Sequence, residues 1–117
     1  MVDKFKTILN NLEAKGPITL LALLKMDDIL DKWIVVFCAP WSTEQNMAET
    51  FEFIRKEILK TLDAQEVSEI ARIAIYGRSE HLIEELLKYQ SGVELKDQKI
   101  NGNLVHSANI IRSNPAV

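Results

Sequence analysis

The first segment of the chain alternates apolar and polar residues with a helical period. Its apolar residues share one face: Phe5, Ile8, Leu9 and Leu12. This spacing predicts an amphipathic helix, which Gly16-Pro17 ends. The next run, Ile18 to Met26, is apolar without a period, so periodicity does not decide between a buried strand and a helix. We favour a strand, because Asp27-Asp28 and Asp31-Lys32 then form a plausible connection to the next strand.

The following segment predicts a strand and then a helix. Trp33 to Ala39 is rich in β-branched and aromatic residues, which predicts a buried strand that Pro40 closes. Ser42 then has the place of a helix N-cap, and Gln45 three residues later completes a capping box. The helix is expected to bury five residues: Met47, Phe51, Ile54, Ile58 and Leu62.

Two further helices and a strand are indicated beyond that helix. Asp63 and Glu66 predict a second capping box and a short helix that ends at about Ile70. Isoleucine alternates with other residues from Ala71 to Tyr76, as is typical of a strand. Ser79 then caps a helix whose buried face is expected to hold Leu82, Ile83, Leu86 and Leu87.

The tail predicts a β-hairpin, because Asn101-Gly102 between two strand-like runs is the strongest short-range hairpin signal. The elements therefore follow the order α-β-β-α-β-α-β-β. The fold class indicated is α/β, with α+β as an alternative: a small mixed sheet with helices packed on it. No linker divides the chain, and we expect residues 1–117 to form a single globular domain.

Composition and charge exclude several classes of function. The chain has 117 residues, a mass of 13.3 kDa and a formal net charge of −3, so it lacks an overall basic surplus for binding a phosphate backbone. Nucleic acid is therefore disfavoured as the main partner, although a local basic patch is compatible with this charge. Cys38 is the only cysteine, which excludes an internal disulfide and a multi-thiolate zinc site. The N-terminal segment lacks the continuous apolar core of a signal peptide. The longest apolar run, Ile18 to Leu24, is too short to span a bilayer, and we expect no membrane partner and a cytoplasmic location.

The sequence VVFCAPW, Val35 to Trp41, resembles the strand that leads into the thioredoxin active site. The downstream order of helix, strand, helix and hairpin is also similar to the thioredoxin core. The resemblance implies a thioredoxin-like core as an alternative fold, above all if residues 18–31 are helical. Ser42 and Gln45 stand where the family's motif has its two cysteines, so thioredoxin chemistry is not expected.

The best candidate for a ligand site lies in the turns after the strands that end at Ala39 and Tyr76. If those strands are parallel neighbours, both turns lie at the sheet edge where ligands bind in open α/β sheets. Two helix N-termini would meet there, which suits a small anion. The candidate ligand-binding residues are Trp41, Ser42, Thr43, Arg78, Ser79 and His81. The simpler interpretation is that Ser42 and Ser79 are ordinary caps and that Trp41 completes the core.

Two other groups have the residue types of a catalytic or metal site. Glu94 and Lys96 form an E-x-K pair like that of restriction-type nucleases, but a hairpin replaces the helix that such a fold needs next. A degenerate nuclease-like domain is therefore a remote alternative to alternating charge on a solvent-facing strand. His81, His106 and Cys38 have no recognised metal-ligand spacing. We expect no metal, no cofactor and no catalytic residue, and we favour a non-enzymatic protein.

Three apolar residues lie where no core is expected to cover them. Phe53 lies on the charged face of its predicted helix. Val105 and Ile111 point away from the other apolar residues of the last strand. All three are candidate interface residues, and a central strand covered on both faces by helices is the alternative. The favoured function is a small non-enzymatic module that self-associates as a homodimer or binds another protein; binding of a small anion at the Ser42 and Ser79 turns is the second hypothesis.

Overall fold

The predicted order of helices and strands is confirmed, and the short helix predicted after Asp63 is present as a fourth helix. The computed structural model describes residues 1–26 and 31–117. The described elements are α1 (Val2–Leu12), β1 (Leu20–Met26), β2 (Trp33–Cys38), α2 (Met47–Thr61), α3 (Ala64–Ser68), β3 (Ile70–Ile75), α4 (His81–Leu86), β4 (Glu94–Ile100) and β5 (Asn103–Ser113). Short 3-10 turns follow α1 at Glu13–Lys15 and precede α2 at Glu44–Asn46. The predicted connection through Asp27-Asp28 lies outside the described residues.

The strands form one mixed sheet in the order β3-β2-β1-β5-β4. β2 and β3 are parallel, and every other neighbouring pair is antiparallel. α2 supplies the crossover connection that a parallel pair requires. The α/β class is therefore confirmed. No helix in the described part of the chain is long and apolar enough to cross a membrane.

Two hydrophobic cores lie on opposite faces of the sheet. α1 and α2 enclose the front core, whose buried side chains include Phe5, Ile8, Leu12, Leu21, Leu23, Val35, Phe37, Ile54, Ile58 and Ile111. α4 covers the other face and encloses the back core, which includes Leu20, Ala22, Leu24, Ile34, Val36, Ile83, Leu86, Val105, Ala108 and Ile110. The inner strands divide their side chains between the two cores, as the two-residue period of a strand requires.

The segment that periodicity left undecided is the central strand of the sheet. β1 pairs with β2 on one side and with β5 on the other, and its first five residues are buried. Leu21 and Leu23 enter the front core, whereas Leu20, Ala22 and Leu24 enter the back core. A strand buried on both faces shows no alternation of apolar and polar residues. The helical alternative is wrong, and the main ground for a thioredoxin-like core is removed with it.

β5 is covered on both faces by the chain itself, as the alternative interpretation predicted. Opposite β1, the residue after Val105 and the residue before Arg112 fall outside the regular pairing, so β5 contains two bulges. The first bulge brings Val105 to the same face as Ala108 and Ile110, where strict alternation placed it on the opposite one. Val105 and Ile111 are therefore buried core residues of this chain.

The beginning of α2 differs from the prediction by one residue. The expected capping box of Ser42 and Gln45 is wrong. Thr43 instead donates its N–H to the Asn46 side chain at 2.8 Å, and the 3-10 turn between them leads into the helix. The Asn46 amide also donates to the carbonyl oxygen of Trp41 at 2.9 Å, which ties the end of the β2 loop to the start of α2.

α2 is rotated relative to the expected buried face. Ile54 and Ile58 are buried as predicted, but Met47 and Phe51 are exposed, and the expectation that they are buried is wrong. Two polar residues take the inner positions: Thr50 and Glu57. Glu57 accepts a hydrogen bond from the Asn11 side chain of α1 at 2.8 Å. A buried carboxylate is tolerated because it has this partner.

α3 begins with the predicted capping box. Glu66 donates its N–H to the Asp63 carboxylate at 2.8 Å, and its own carboxylate accepts the N–H of Asp63 at 3.0 Å. The ammonium group of Lys4 on α1 binds the same carboxylate. Two hydrogen bonds lower the pKa of Glu66: the larger effect comes from Lys4 and the smaller from the backbone of Asp63. The hydrogen bond between Lys4 and Glu66 also raises the pKa of Lys4. This cluster joins the N-terminal helix to α3.

Acid should weaken this junction. A carboxylate whose pKa is lower in the folded state stabilises the fold above its unfolded pKa, about 4.3 for Glu, and loses that contribution as the pH falls through the folded value. We expect Glu66→Gln to make the urea midpoint less sensitive to acidification from pH 7 to pH 3. Glu69→Gln changes an exposed carboxylate at the other end of α3, outside the Asp63–Glu66 capping box, and should leave the pH dependence as in the wild type. If the urea midpoint of Glu66→Gln fell with pH as steeply as that of the wild type, Glu66 would not be the source of the acid sensitivity.

Candidate functional site

The turns after β2 and β3 lie side by side, because these strands are parallel neighbours. Tyr76 donates its N–H to the Phe37 carbonyl at 2.9 Å, which holds the two strand ends together. A hollow of about 440 Å³ lies between the turns. The predicted ligand-binding residues that line it are Ser42, Thr43 and Ser79. The expected convergence of the two turns is therefore seen for three of the six residues.

The other three candidates have partners of their own elsewhere. Arg78 donates to the Pro115 carbonyl at 3.3 Å. His81 is exposed and lies 3.5 Å from Glu85 on the same helix. Trp41 packs into the aromatic cluster described below.

The charge of this hollow is unsuited to an anion. Glu44 and Glu80 both line it, and the Glu80 carboxylate accepts the N–H of Gly77 at 2.7 Å. The N-cap residue of α4 is Glu80, so the expected Ser79 cap is wrong. The chain's own carboxylate thus occupies a backbone donor that an anionic ligand would need, and a second carboxylate would repel such a ligand.

Trp41 belongs to a structural cluster between the front core and α2. Its ring lies 5.5 Å from that of Phe37 and 6.4 Å from that of Phe53, measured between centroids. The Lys15 ammonium lies over both Trp41 and Phe53, at 5.9 and 5.0 Å. Phe53 is half-buried in this cluster and packs against the front core, so cover for its ring comes from within the chain. The simpler interpretation of Trp41, that it completes the core, agrees with this packing.

The polar residues of β4 form surface pairs. Lys96 lies 3.4 Å from the Glu94 carboxylate and donates to the Ser107 hydroxyl at 3.2 Å. Asp97 has a left-handed backbone (φ 50°) and lies 3.5 Å from His106. Among the residues described, no three His, Cys, Asp or Glu side chains are grouped as metal ligands. Cys38 is buried, and burial raises the pKa of its thiol, which leaves it a poor nucleophile.

An exposed apolar stripe runs along α2 at intervals of four residues. Met47, Phe51 and Leu59 are 42%, 38% and 50% exposed, and Arg55 completes the spacing. Between this stripe and β3 lie two adjoining hollows of about 500 and 330 Å³, both lined by Phe51 and Ile73. We call this surface the α2–β3 groove. Hydrophobic periodicity does not reveal this groove, because it predicts Met47 and Phe51 on the buried face of α2.

The α2–β3 groove borders an open edge of the sheet. β3 is the edge strand beside β2, and Arg72 is the one charged residue in its sequence IARIAI. β4, at the opposite edge, carries Glu94, Lys96, Asp97 and Lys99, and the left-handed Asp97 interrupts its regularity. Charges and irregularities are the features by which proteins protect sheet edges from pairing with another chain. β4 has this protection and β3 lacks it.

The charges of α2 are divided along its length. The first half carries Glu49 and Glu52, and the second half carries Arg55, Lys56 and Lys60 on exposed positions. Glu52 lines the hollow near the start of the helix, whereas Arg55 lines the hollow near its end. The two side chains lie 3.5 Å apart where the halves meet. The α2–β3 groove therefore has an acidic end and a basic end.

Comparisons with known protein families, with curated proteins and with solved structures gave no significant match to this chain.

Proposed function

We propose that the protein is a non-enzymatic interaction module that self-associates as a homodimer through the α2–β3 groove. The observation that carries the proposal is an exposed apolar stripe, Met47, Phe51 and Leu59, beside an unprotected edge strand. Large apolar side chains aligned on one surface are typical of interfaces rather than of surfaces that stay in water. A cytoplasmic location remains a prediction from the sequence.

The edge strand provides a way for two copies to join. Backbone N–H and C=O groups on the outer side of β3 lack a neighbouring strand in the described part of the chain. Antiparallel pairing of β3 with β3 of a second copy would satisfy them and extend the sheet, as in other complexes that add a strand. A two-fold axis beside Ile73 would bring the two α2 helices together on the same face, antiparallel to each other.

The charge distribution along α2 favours a second copy as the partner. In the antiparallel arrangement, the acidic half of each helix faces the basic half of the other, so Glu52 of one copy approaches Arg55 of its partner. This contact is made twice, because a two-fold interface is self-complementary. A partner of uniform charge would meet attraction at one end of the groove and repulsion at the other.

Reversal of single charges should weaken the dimer. We expect the wild type to have twice the 13.3 kDa chain mass by light scattering. Glu52→Arg or Arg55→Glu should raise the dimer dissociation constant by roughly tenfold, because each reversal creates two like-charge contacts. The double variant E52R/R55E should recover most of the wild-type affinity, since opposite charges face each other again.

Arg78→Ala is the matched control, because Arg78 lies outside the groove and binds Pro115. It should dimerise like the wild type. A monomeric wild type at every concentration would refute the proposal. The antiparallel arrangement would be refuted if the dimer dissociation constant of E52R/R55E were as high as that of either single variant.

A further inference from the structure

A second cavity lies on the back face of the sheet, away from the α2–β3 groove. Its volume is about 180 Å³. Five buried side chains of the back core belong to its apolar lining: Leu24, Ile34, Val36, Ile100 and Val105. An engineered cavity of about 150 Å³ accommodates benzene, so this one has room for a six-membered ring or a short branched chain.

One charged side chain, Arg72, lines this cavity in the described part of the chain. The strand register fixes the face on which it lies. Arg72 is the direct neighbour of Ile34, just as Ala74 is the neighbour of Val36, and neighbouring residues in a sheet share a face. Since Ile34 and Val36 belong to the back core, Arg72 projects on the cavity side.

The remaining polar lining supplies further hydrogen-bonding groups. Tyr76, Asn101 and Asn103 line the same cavity and bring a phenol and two amides. The structure places no carboxylate of the described residues in the lining or in an ion pair with Arg72. Buried apolar side chains combined with a few polar groups are the usual lining of a small-molecule site.

We propose that this cavity binds a small organic carboxylate with an apolar body. The ring or branched chain would replace water against Leu24, Val36 and Val105, and the carboxylate would accept paired hydrogen bonds from Arg72. Guanidinium matches the two oxygens of a carboxylate in geometry and charge. A phosphate is disfavoured, because burying its greater charge against this apolar lining has a larger desolvation cost and a single cation faces it. Arg72 also lines the second hollow of the α2–β3 groove, so the cavity is tested at a protein concentration where the chain is monomeric.

Titration with benzoate, followed by amide chemical shifts, tests the site. We expect saturable shifts at Val36, Tyr76 and Val105. Benzamide, which has the same ring but no charge, should bind at least tenfold more weakly. Arg72→Gln should reduce benzoate affinity by at least tenfold while leaving the weaker benzamide affinity unchanged. This variant should fold, because Arg72 is exposed at the sheet edge.

Lys56→Gln is the matched control, because it removes one positive charge from α2 on the other side of the sheet. It should bind benzoate like the wild type. Absence of saturable shifts would overturn the cavity as a ligand site. Equal affinity for benzoate and benzamide, or full benzoate affinity in Arg72→Gln, would overturn the assignment of a carboxylate.

Discussion

Replacement of Gly16 by alanine is expected to lower the free energy of unfolding by about 3 kcal/mol. Gly16 has φ 141° and ψ −177°, a backbone conformation that essentially only glycine adopts. A Cβ atom at this position would lie 2.9 Å from Cδ1 of Trp41. Trp41 has little room to move, because Phe37 and Phe53 pack against its ring. Backbone strain and overpacking therefore act at the same residue.

Urea unfolding followed by tryptophan fluorescence measures this loss. Gly92→Ala is the control, since Gly92 also has a positive φ (89°) but no neighbouring atom lies within 4 Å of an added Cβ. It should cost about 1 kcal/mol, the effect of the backbone alone. Equal losses in the two variants would mean that the Trp41 ring yields to the new methyl group, and that the aromatic cluster is less rigid than its contacts indicate.

Lysine substitutions at two nearby phenylalanines should affect different properties: one should abolish the dimer, and the other should lower the stability of the chain. Phe51→Lys is expected to convert the dimer to a monomer of 13.3 kDa and to change chain stability by no more than about 0.5 kcal/mol, because Phe51 is a surface residue of the chain. Phe53→Lys is expected to cost about 2 kcal/mol, because it places an ammonium group in the half-buried cluster of Trp41 and Lys15.

Light scattering and urea unfolding on both variants separate the two roles. Unfolding should be compared at a concentration where the wild type is monomeric, so that dissociation does not contribute to the measured stability. A Phe51→Lys protein that remains dimeric would exclude the α2–β3 groove as the interface. A Phe53→Lys protein that loses only its dimer, with stability intact, would support the earlier expectation that Phe53 is the interface residue.

Sequence patterns were sufficient for the order of the elements but not for the rotation of α2. Local signals such as the Asp63–Glu66 box and Asn101-Gly102 act between residues close in the chain, and the predictions from them are confirmed. The buried face of α2 depends on a distant residue, because Asn11 supplies the hydrogen bond that allows Glu57 to be buried. Hydrophobicity alone assigns such a carboxylate to the surface. The hydrophobic pattern therefore places Phe51 in the core and Phe53 on the surface, whereas Phe51 is exposed and Phe53 is half-buried.

Local sequence patterns likewise predict only part of the candidate ligand site. The juxtaposition of the two turns could be predicted, since it requires only that β2 and β3 be parallel neighbours. Occupation of the Gly77 amide by Glu80 does not follow from the predicted Ser42 and Ser79 caps. Glu80 follows Gly77 by three residues, the spacing at which a capping-box carboxylate reaches back to a backbone N–H, and this spacing alone weakens the anion hypothesis. The two bulges of β5 have no sequence signal that we identify, because they arise from pairing with β1.

The central place of β1 has a consequence for synthesis of the protein. Its partner β5 lies about 80 to 90 residues later in the chain, so at roughly 5–20 residues per second β1 waits on the order of ten seconds for that partner to leave the ribosome. During this interval the sequence LLALL can pair with β2, but its other edge is open to any strand nearby. We therefore expect β1 to be the segment of the nascent chain most open to pairing with the wrong strand, until β5 becomes available to cover its second edge.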